Sequence, residues 1–456
     1  MSPKQVTIVG AGLCGSLLAI MLKRRGYAVS LLERRADPRT AAAVAGRSIN
    51  LALSARGIRA LRHAGVFGKI KPLLMPMRGR IIHNEDQSTE LQPYGQRAGE
   101  QIYSVSRCGL NRMLIDAAEK DHKIRIQFEQ EVRGFAKASR ELLMFDLGQG
   151  RNYSLVGEPV IAADGAGSVL RRALAPSIDA TEALLPHGYK ELCIPPGADG
   201  LHRMDPGGLH IWPRGGFMLI ALPNPGGDFT LTLFLPNEGA DSFASLARAA
   251  DVRDFFLRSF ADVVPLVPDL TRAFLANPVG ILGTVRCRHW HDGGKVLLIG
   301  DAAHAIVPFH GQGMNLAFED CMLLERTIQD QQSWAEAFAA FETQQRGNAD
   351  AIAGMALENY VEMRDTVRDP KYKLRKELSF ELELRLPDRF IPRYSMVMFH
   401  PEIPYALAQQ RGAVQQEVLD ELVWNAHSLE DIDIKTAEAL VRKRLPSLAT
   451  ATDSKL

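Results

Sequence analysis

The stretch VTIVGAGLCGSLLAIMLKRRGYAVSLLE, residues 6–33, decides the fold. Val6-Thr7-Ile8-Val9 has the length and β-branched composition of a buried strand. It breaks at Gly10-Ala11-Gly12-Leu13-Cys14-Gly15, a GxGxxG. Leu17, Leu18, Met21 and Leu22 then recur at helical spacing, Gly26 stops the helix, and a second strand, Ala28 to Leu32, ends on Glu33. Strand, glycines, helix, strand and acid in this register form the dinucleotide-binding βαβ unit. The glycines let the backbone turn sharply and approach a pyrophosphate, and the helix amino terminus offers free N–H groups and partial positive charge. Glu33 is placed to accept hydrogen bonds from a ribose diol. A glycine turn in an unrelated α/β protein is the competing reading, and the unit alone does not separate FAD from NAD.

At 456 residues the chain has room for two or three domains. A net charge of +1, from 54 basic and 53 acidic residues, argues against nucleic acid or an anionic membrane as main partner. Cys14, Cys108, Cys193, Cys287 and Cys321 show no metal-ligand or CxxC spacing, so no metal site is expected and free thiols in a reducing cytoplasm are the plain reading. Cys14 reads as a small packing residue of the glycine loop. The amino terminus shows no signal peptide, and no run approaches the ~18 apolar residues of a membrane span. The polar last residues, 447–456, read as frayed.

The Ala- and Gly-rich residues 41–46 read as a mobile loop, followed by Arg47, either a solvated charge or a residue lining the cofactor mouth. Ser54 is expected to cap a helix through about Ala64. Residues 77–83 and 90–94 read as short strands, then a helix near 107–120 and strands at 124–130 and 142–147. A buried strand ending on Asp164-Gly165 returns the chain to the nucleotide domain, ahead of Arg171-Arg172. Residues 185–275 read as β-rich, with a hairpin at 217–222 and 229–235 and a neighbouring strand at 209–212. Residues 295–299 lead into Gly300-Asp301 and on to Pro308, with a helix from about Leu316 to Gln329 and a long helical tail broken by Pro387, Pro392, Pro401 and Pro404.

The order of three segments resembles the single-component FAD-dependent aromatic hydroxylases: the glycine fingerprint at 10–15, Asp164-Gly165 before Arg171-Arg172, and Gly300-Asp301 before Pro308. In that family the βαβ unit binds the ADP half, the DG segment lies near the pyrophosphate and the GD segment contacts the ribityl chain. GRSINLALSARG (46–57), MRGRIIH (77–83), LQPYG (91–95), PHGYKEL (186–192), LHIWPRG (209–215), ALENYVEM (356–363) and RFIPRYSMV (389–397) narrow this to a resemblance to the kynurenine 3-monooxygenase family, running nearly end to end.

The resemblance implies an α/β (mixed α+β) fold. A Rossmann-like FAD-binding domain (1–76, 101–180, 276–330) is interleaved with a β-sheet substrate domain (77–100, 181–275), and a helical region (331–456) closes the substrate pocket. It implies FAD as cofactor, NADPH and O₂ as co-substrates, and hydroxylation of L-kynurenine to 3-hydroxy-L-kynurenine through a flavin C4a-hydroperoxide, in tryptophan catabolism. Its cofactor residues are Gly10, Gly12, Leu13, Gly15, Glu33, Arg34, Ala52, Arg107, Val132, Asp164, Asp301, Gly313, Met314 and Asn315. Pro308, Phe309, His310 and Gly311 form the flavin-face loop. Arg80 is implied to grip the substrate carboxylate, with Tyr94, Asn359 and Tyr394 beside it. A guanidinium fork matches a carboxylate in two parallel hydrogen bonds, and phenols and an amide add orientation without net charge. Eukaryotic members carry a carboxy-terminal membrane anchor; with no apolar span there, the chain resembles the soluble bacterial forms. The oligomeric state is left open, a homodimer included.

Each assignment has a plainer reading. Arg80 reads without the resemblance as a strand surface charge, Tyr94 as a half-buried edge tyrosine, and Asn359 and Tyr394 as helix-packing residues. His310 reads as loop packing beside the flavin or as a general base, and His304 as packing or hydrogen bonding within its turn. Spacing alone does not bring 80, 94, 359 and 394 together. Three other functions stay open: a flavin hydroxylase of another aromatic acid, a non-catalytic flavoprotein, or an NAD-dependent dehydrogenase. A flavin halogenase is disfavoured by the lack of a WxWxIP segment.

Overall fold

The computed structural model describes residues 4–40, 50–120, 123–156, 159–365 and 369–448. Arg47, the 41–46 stretch and most of the polar tail lie outside the described residues. Two compact units divide the chain: 1–75, 103–185 and 281–353 form the first, and 76–102, 186–280 and 354–456 the second.

The first unit is built on a sheet whose strand Gln5–Val9 lies between Ala28–Leu32 and Val160–Ala162, all parallel. Ile124–Gln127 and Val296–Leu298 extend it in parallel on either side, and His291–Asp292 closes one edge antiparallel. Parallel strands are covered on both faces, which is why each reads as a continuous apolar run. Helix Leu13–Arg24 follows the first strand and buries Leu17, Leu18, Met21 and Leu22. Adjacent strands lead away from Gln5–Val9 in opposite directions, so the crevice at their carboxyl ends is the topological switch point where such sheets bind nucleotides. The expected strand at 124–130 is broken: Glu129 has a positive φ of 58°, and Gln130–Ala136 begins an antiparallel meander with Glu141–Asp146 and Arg151–Val156.

The second unit is organised on a mostly antiparallel sheet in which residues 186–194, Phe229–Pro236, Met218–Pro223 and Leu209–Pro213 pair in turn. Gly79–His83 joins Leu209–Pro213 in parallel, and Thr89–Pro93 forms the far edge. The β-rich reading of 185–275 needs a correction, because Ala249–Ser259 and Leu270–Ala276 are helices. Phe255, Phe256, Phe260 and Phe274 from this segment pack on Trp212, Leu219, Leu231 and Leu233 of the sheet. Hairpin signals on one side masked a short amphipathic pattern on the other. The tail forms helices Trp334–Arg364, Pro370–Arg385, Arg393–Phe399, Tyr405–Val423 and Ile434–Arg444; Pro387 and Pro392 lie in the gap before Arg393–Phe399 and Pro401 and Pro404 in the gap after it, whereas the breaks after Arg364 and Val423 contain none of the four. The first of these begins in the first unit and ends in the second.

Every residue of Gly79–His83 is buried. Alternation puts Arg80 and Ile82 on one face, Ile81 and His83 on the other. His83 anchors a buried polar chain. Its Nδ1 lies 3.1 Å from Asp262 Oδ2, its Nε2 lies 2.8 Å from His210 Nδ1, and His210 Nε2 lies 2.8 Å from the Asp205 carbonyl. The Trp212 indole N–H donates to the same Asp262 oxygen at 2.7 Å, and the His83 ring stacks on Trp212 at 3.9 Å. These contacts pin the Arg80 strand to its neighbour.

Burial pushes the His210 pKa down to about 4. A histidine whose folded pKa lies below its unfolded value stabilises the fold at neutral pH and loses that contribution as pH falls from about 6.5 through about 4. Unfolding free energy should therefore drop over that window by up to about 3 kcal/mol from this group. His210→Gln should flatten the slope by close to one proton when denaturant midpoints are measured across the window; an unchanged slope would contradict it.

Candidate active site

In the first unit the glycine turn leaves no room for a side chain at positions 10 and 15. Gly10 has φ +101°, and a Cβ there would sit 2.4 Å from the Ala163 carbonyl oxygen. A Cβ on Gly15 would lie 2.0 Å from the Gly10 oxygen, so helix and strand meet at backbone contact. Gly12 faces open space and heads helix Leu13–Arg24 without a side-chain cap. An uncapped helix start beside an open cradle is what a pyrophosphate needs. Glu33 is held over this turn: its Oε2 accepts from the Ala11 N–H at 2.8 Å and its Oε1 from the Arg35 N–H at 2.9 Å. Lone pairs remain on both oxygens for a diol.

The two other nucleotide segments lie in the same unit. Asp164 Oδ2 accepts from the Val169 N–H at 2.9 Å, whereas its buried Oδ1 has no partner among the described residues, and burial pushes its pKa up. An orphaned buried acceptor fits a ligand that donates a hydrogen bond. The fully buried Arg171 ties the segments together, donating to the Ala166 and Ala302 carbonyls and to Glu182. Asp301 opens the short helix Asp301–His304. Asp320 backs that turn: Oδ2 accepts from the Gly300 N–H at 3.0 Å and lies 2.7 Å from His304 Nε2, and Oδ1 accepts from Gln345 at 2.8 Å. Burial opposes His304 protonation, but the Asp320 carboxylate outweighs it and raises the imidazole pKa. His304 is thus bonded to a helix outside its own turn. Cys14 lies 3.7 Å, sulfur to sulfur, from Cys321, and both thiols are free.

Pro308–His310 form a 3₁₀ turn in which Phe309 and His310 are buried, and Gly311 follows in the left-handed conformation. Helix Gly313–Asp330 starts three residues earlier than the apolar pattern indicates, again without a side-chain cap. Met314 is buried there. The Asn315 amide is engaged within the protein: its Nδ2 donates to the Ala52 and Gly311 carbonyls at 2.8 and 2.9 Å, and its Oδ1 accepts from the Ser54 N–H at 3.0 Å. Ser54 takes the expected N-cap position of helix Ala55–His63, but its side chain makes no cap hydrogen bond; its backbone N–H is the group that Asn315 holds. Arg34 and Arg107 are exposed, and Val132 is buried in the meander.

The second unit brings Arg80, Tyr94, Asn359 and Tyr394 together. Arg80 is 4% exposed, which excludes a surface charge. Its Nη1 donates to Glu362 Oε1 at 2.7 Å and its Nη2 to Asn359 Oδ1 at 3.1 Å. Tyr94, buried rather than half-exposed, stacks on Tyr394 with 5.4 Å between centroids and 12° between planes. The guanidinium carbon lies 5.2 Å from the Tyr394 ring centroid. Burial pushes the Tyr94 pKa up to about 12 and that of Tyr394 well above its ordinary value, so both stay neutral phenols. The Tyr94 hydroxyl is buried and has no hydrogen-bond partner of ordinary geometry among the described residues, which suits it to a ligand.

Sequence reasoning missed Glu362 and Tyr372. Glu362 lies three residues after Asn359 on the same helix face, a spacing that was readable. The Tyr372 hydroxyl donates to Glu362 Oε1 at 2.8 Å, and nothing in the sequence links positions 372 and 80. Burial alone would raise the Glu362 pKa, but the Arg80 charge and hydrogen bonds from Arg80 and Tyr372 outweigh it and lower the value.

A carboxyl depressed in this way stabilises the fold above its unfolded pKa of about 4.5 and loses that contribution as pH falls through the folded value. Glu362→Gln leaves Arg80 buried without its counter-charge and should cost about 3–5 kcal/mol at neutral pH by denaturant titration. A loss below about 1 kcal/mol would mean that the pair is solvated.

Residues 4–195 and 279–336 match the family model "FAD binding domain", so the first unit's turn, orphaned carboxylate and uncapped helices belong to an FAD-binding domain. Solved structures share the fold. A 2-methyl-3-hydroxypyridine-5-carboxylic acid oxygenase superposes with a TM-score of 0.67 at 20% identity, over 81% of this chain and 95% of that one. Pseudomonas aeruginosa PqsL in complex with 2-aminobenzoylacetate superposes at 0.63 and 19%, over 79% and 96%. Kynurenine 3-monooxygenase from Myxococcus xanthus is 47% identical over 96% of this chain and 95% of its own length. That from Stenotrophomonas maltophilia is 45% identical over 98% of each. With identity of this level along nearly its whole length, the chain belongs to the kynurenine 3-monooxygenase family.

Proposed function

We propose that this protein is an FAD-dependent, NADPH-consuming monooxygenase that converts L-kynurenine to 3-hydroxy-L-kynurenine. One observation carries the reading: a chain related end to end to enzymes of that name buries an arginine fork against a stacked pair of neutral phenols. Arg80 binds the substrate carboxylate. Two of its five N–H donors serve Glu362 and Asn359, and the guanidinium carries further donors for the ligand carboxylate. Glu362 takes the α-ammonium, so a zwitterionic substrate meets one charge of each sign. Asn359 orients the guanidinium, and Tyr94 and Tyr394 donate from uncharged hydroxyls.

With FAD bound, the chemistry supplied is reductive activation of O₂ by electrons from NADPH, one oxygen atom going to the substrate ring and the other to water. The ring carbon to be hydroxylated lies ortho to the aryl amine, which donates electron density to it, so the chain need not supply a base to ionise a phenol. Gly10, Gly12, Leu13, Gly15, Glu33, Arg34, Ala52, Arg107, Val132, Asp164 and Asp301 would hold the dinucleotide, with Gly313, Met314 and Asn315 toward the flavin. Pro308, Phe309, His310 and Gly311 would pack against the ring and exclude water. No helix among the described residues is long and apolar enough to cross a membrane, and the five thiols are free, in keeping with work in a reducing cytoplasm.

Purified holoenzyme should oxidise NADPH faster with L-kynurenine present and form a product one oxygen heavier that co-elutes with 3-hydroxykynurenine. Stimulation with H₂O₂ alone would make kynurenine a mimic of the true substrate, and no stimulation would remove the substrate assignment. Arg80→Ala should weaken kynurenine binding about 100-fold or more by calorimetry while FAD stays bound. Glu33→Ala should release FAD more readily on dialysis, whereas full flavin retention would sink the role given to Glu33.

A further inference from the structure

The charges around Arg80 do not balance. Glu362 is taken by Arg80 at 2.7 Å, Glu90 by Lys373 at 2.5 Å and Glu358 by Arg393 at 2.5 Å. Lys376 is left over: no carboxylate among the described residues lies within ion-pair distance of its ammonium. It follows Tyr372 by one turn on helix Pro370–Arg385, so the two side chains share a face, and Tyr372 already reaches Glu362. Its ammonium lies 5.8 Å from the Phe380 ring centroid, repelled by Arg80 and attracted by Glu362 and Glu90. A part-buried cation beside a second cation is unfavourable unless an anion arrives between them.

We propose that Lys376 is a second cationic recognition group for the carboxylate of the amino-acid substrate at the Arg80 site. The proposal rests on the reading that Arg80 binds that carboxylate. Arg80 supplies the directed fork, and Lys376 supplies a flexible point charge that needs no fixed angle. With Lys376 charged, the site carries one net positive charge before the ligand enters, so the carboxylate need not displace Glu362 from Arg80. An aromatic substrate without a carboxylate gains nothing from this charge, which makes Lys376 a specificity residue.

The charge is conditional on pH. Burial, and then the Arg80 guanidinium, push the Lys376 pKa down to about 8. The groups facing it are Arg80 from strand Gly79–His83, Glu90 from Thr89–Pro93, Glu362 from the long helix, and Tyr372 and Lys373 from its own helix. Burial opposes both charges of the central pair, but Glu362 raises the Arg80 pKa and Arg80 lowers that of Glu362, so both keep their charge across the alkaline range, and burial holds the Tyr372 phenol neutral. Substrate binding should favour the protonated amine and take up a proton above pH about 8, and affinity should fall as Lys376 deprotonates.

The test measures the dissociation constant of L-kynurenine for FAD-loaded enzyme without NADPH, by flavin absorbance change, from about pH 7 to about 9.5. Relative to Lys376→Arg, which stays charged, the wild-type constant should rise about tenfold over that range. Lys376→Gln should bind about tenfold more weakly at pH 7 and meet the wild-type curve at the alkaline end. Ionisation of the substrate's own amine affects all three proteins alike and cancels in the ratios. Wild-type affinity in Lys376→Gln at pH 7, or the same alkaline rise in Lys376→Arg, overturns the proposal. If Arg80→Ala also binds like wild type, the reading of the whole site has failed; if it alone loses binding, only the role of Lys376 has. Should the glutamine variant not fold, the wild-type and arginine profiles decide the question.

Discussion

A guanidinium buried away from water is the constraint on which the second unit's chemistry depends. Desolvating Arg80 costs several kcal/mol unless its charge and donors are met. Glu362 meets the charge, Asn359 accepts a second donor, and the Tyr394 face lies within cation–π range. Each partner is secured in turn: Tyr372 donates to Glu362, and Tyr94 stacks on Tyr394. The result is a small polar cage in which the cation is fixed before any ligand arrives. Preorganisation of that kind lowers the cost of orienting a substrate.

The first unit meets a different requirement by similar means. A dinucleotide needs backbone approach and unsatisfied N–H groups, and both are costly to maintain without support. Glu33 braces the glycine turn through the Ala11 and Arg35 amides. Arg171 links the carbonyls of Ala166 and Ala302, and Asp320 holds the Gly300 amide. Asn315 joins the 308–311 turn to Ala52 and Ser54, so an amide expected at the cofactor acts mainly as a brace for the loop that carries it.

Much of this was legible in the residues. Glycines at 10 and 15 between a strand and a helix specify one turn, because a Cβ at either would collide with backbone, and Gly12 between them keeps the space over the helix start open. Hairpins and proline breaks were readable because turn chemistry is local. Helices Ala249–Ser259 and Leu270–Ala276 were not, since short apolar runs carry no decisive period when β signals surround them. The resemblance to relatives singled out Arg80, Tyr94, Asn359 and Tyr394, whereas Glu362, Tyr372 and Lys376 are tied to the buried arginine only by the folded arrangement.

The sequence by itself determined the dinucleotide turn, the order of the three nucleotide segments and the family. These rest on interactions between residues a few positions apart, or on a pattern repeated by relatives along the whole chain. Tertiary structure alone decided that Arg80 is buried, that Glu362 balances it, and that no carboxylate among the described residues pairs with Lys376. Those facts depend on side chains nearly three hundred positions apart meeting out of water. Burial and charge balance belong to the folded arrangement, and no local pattern encodes them.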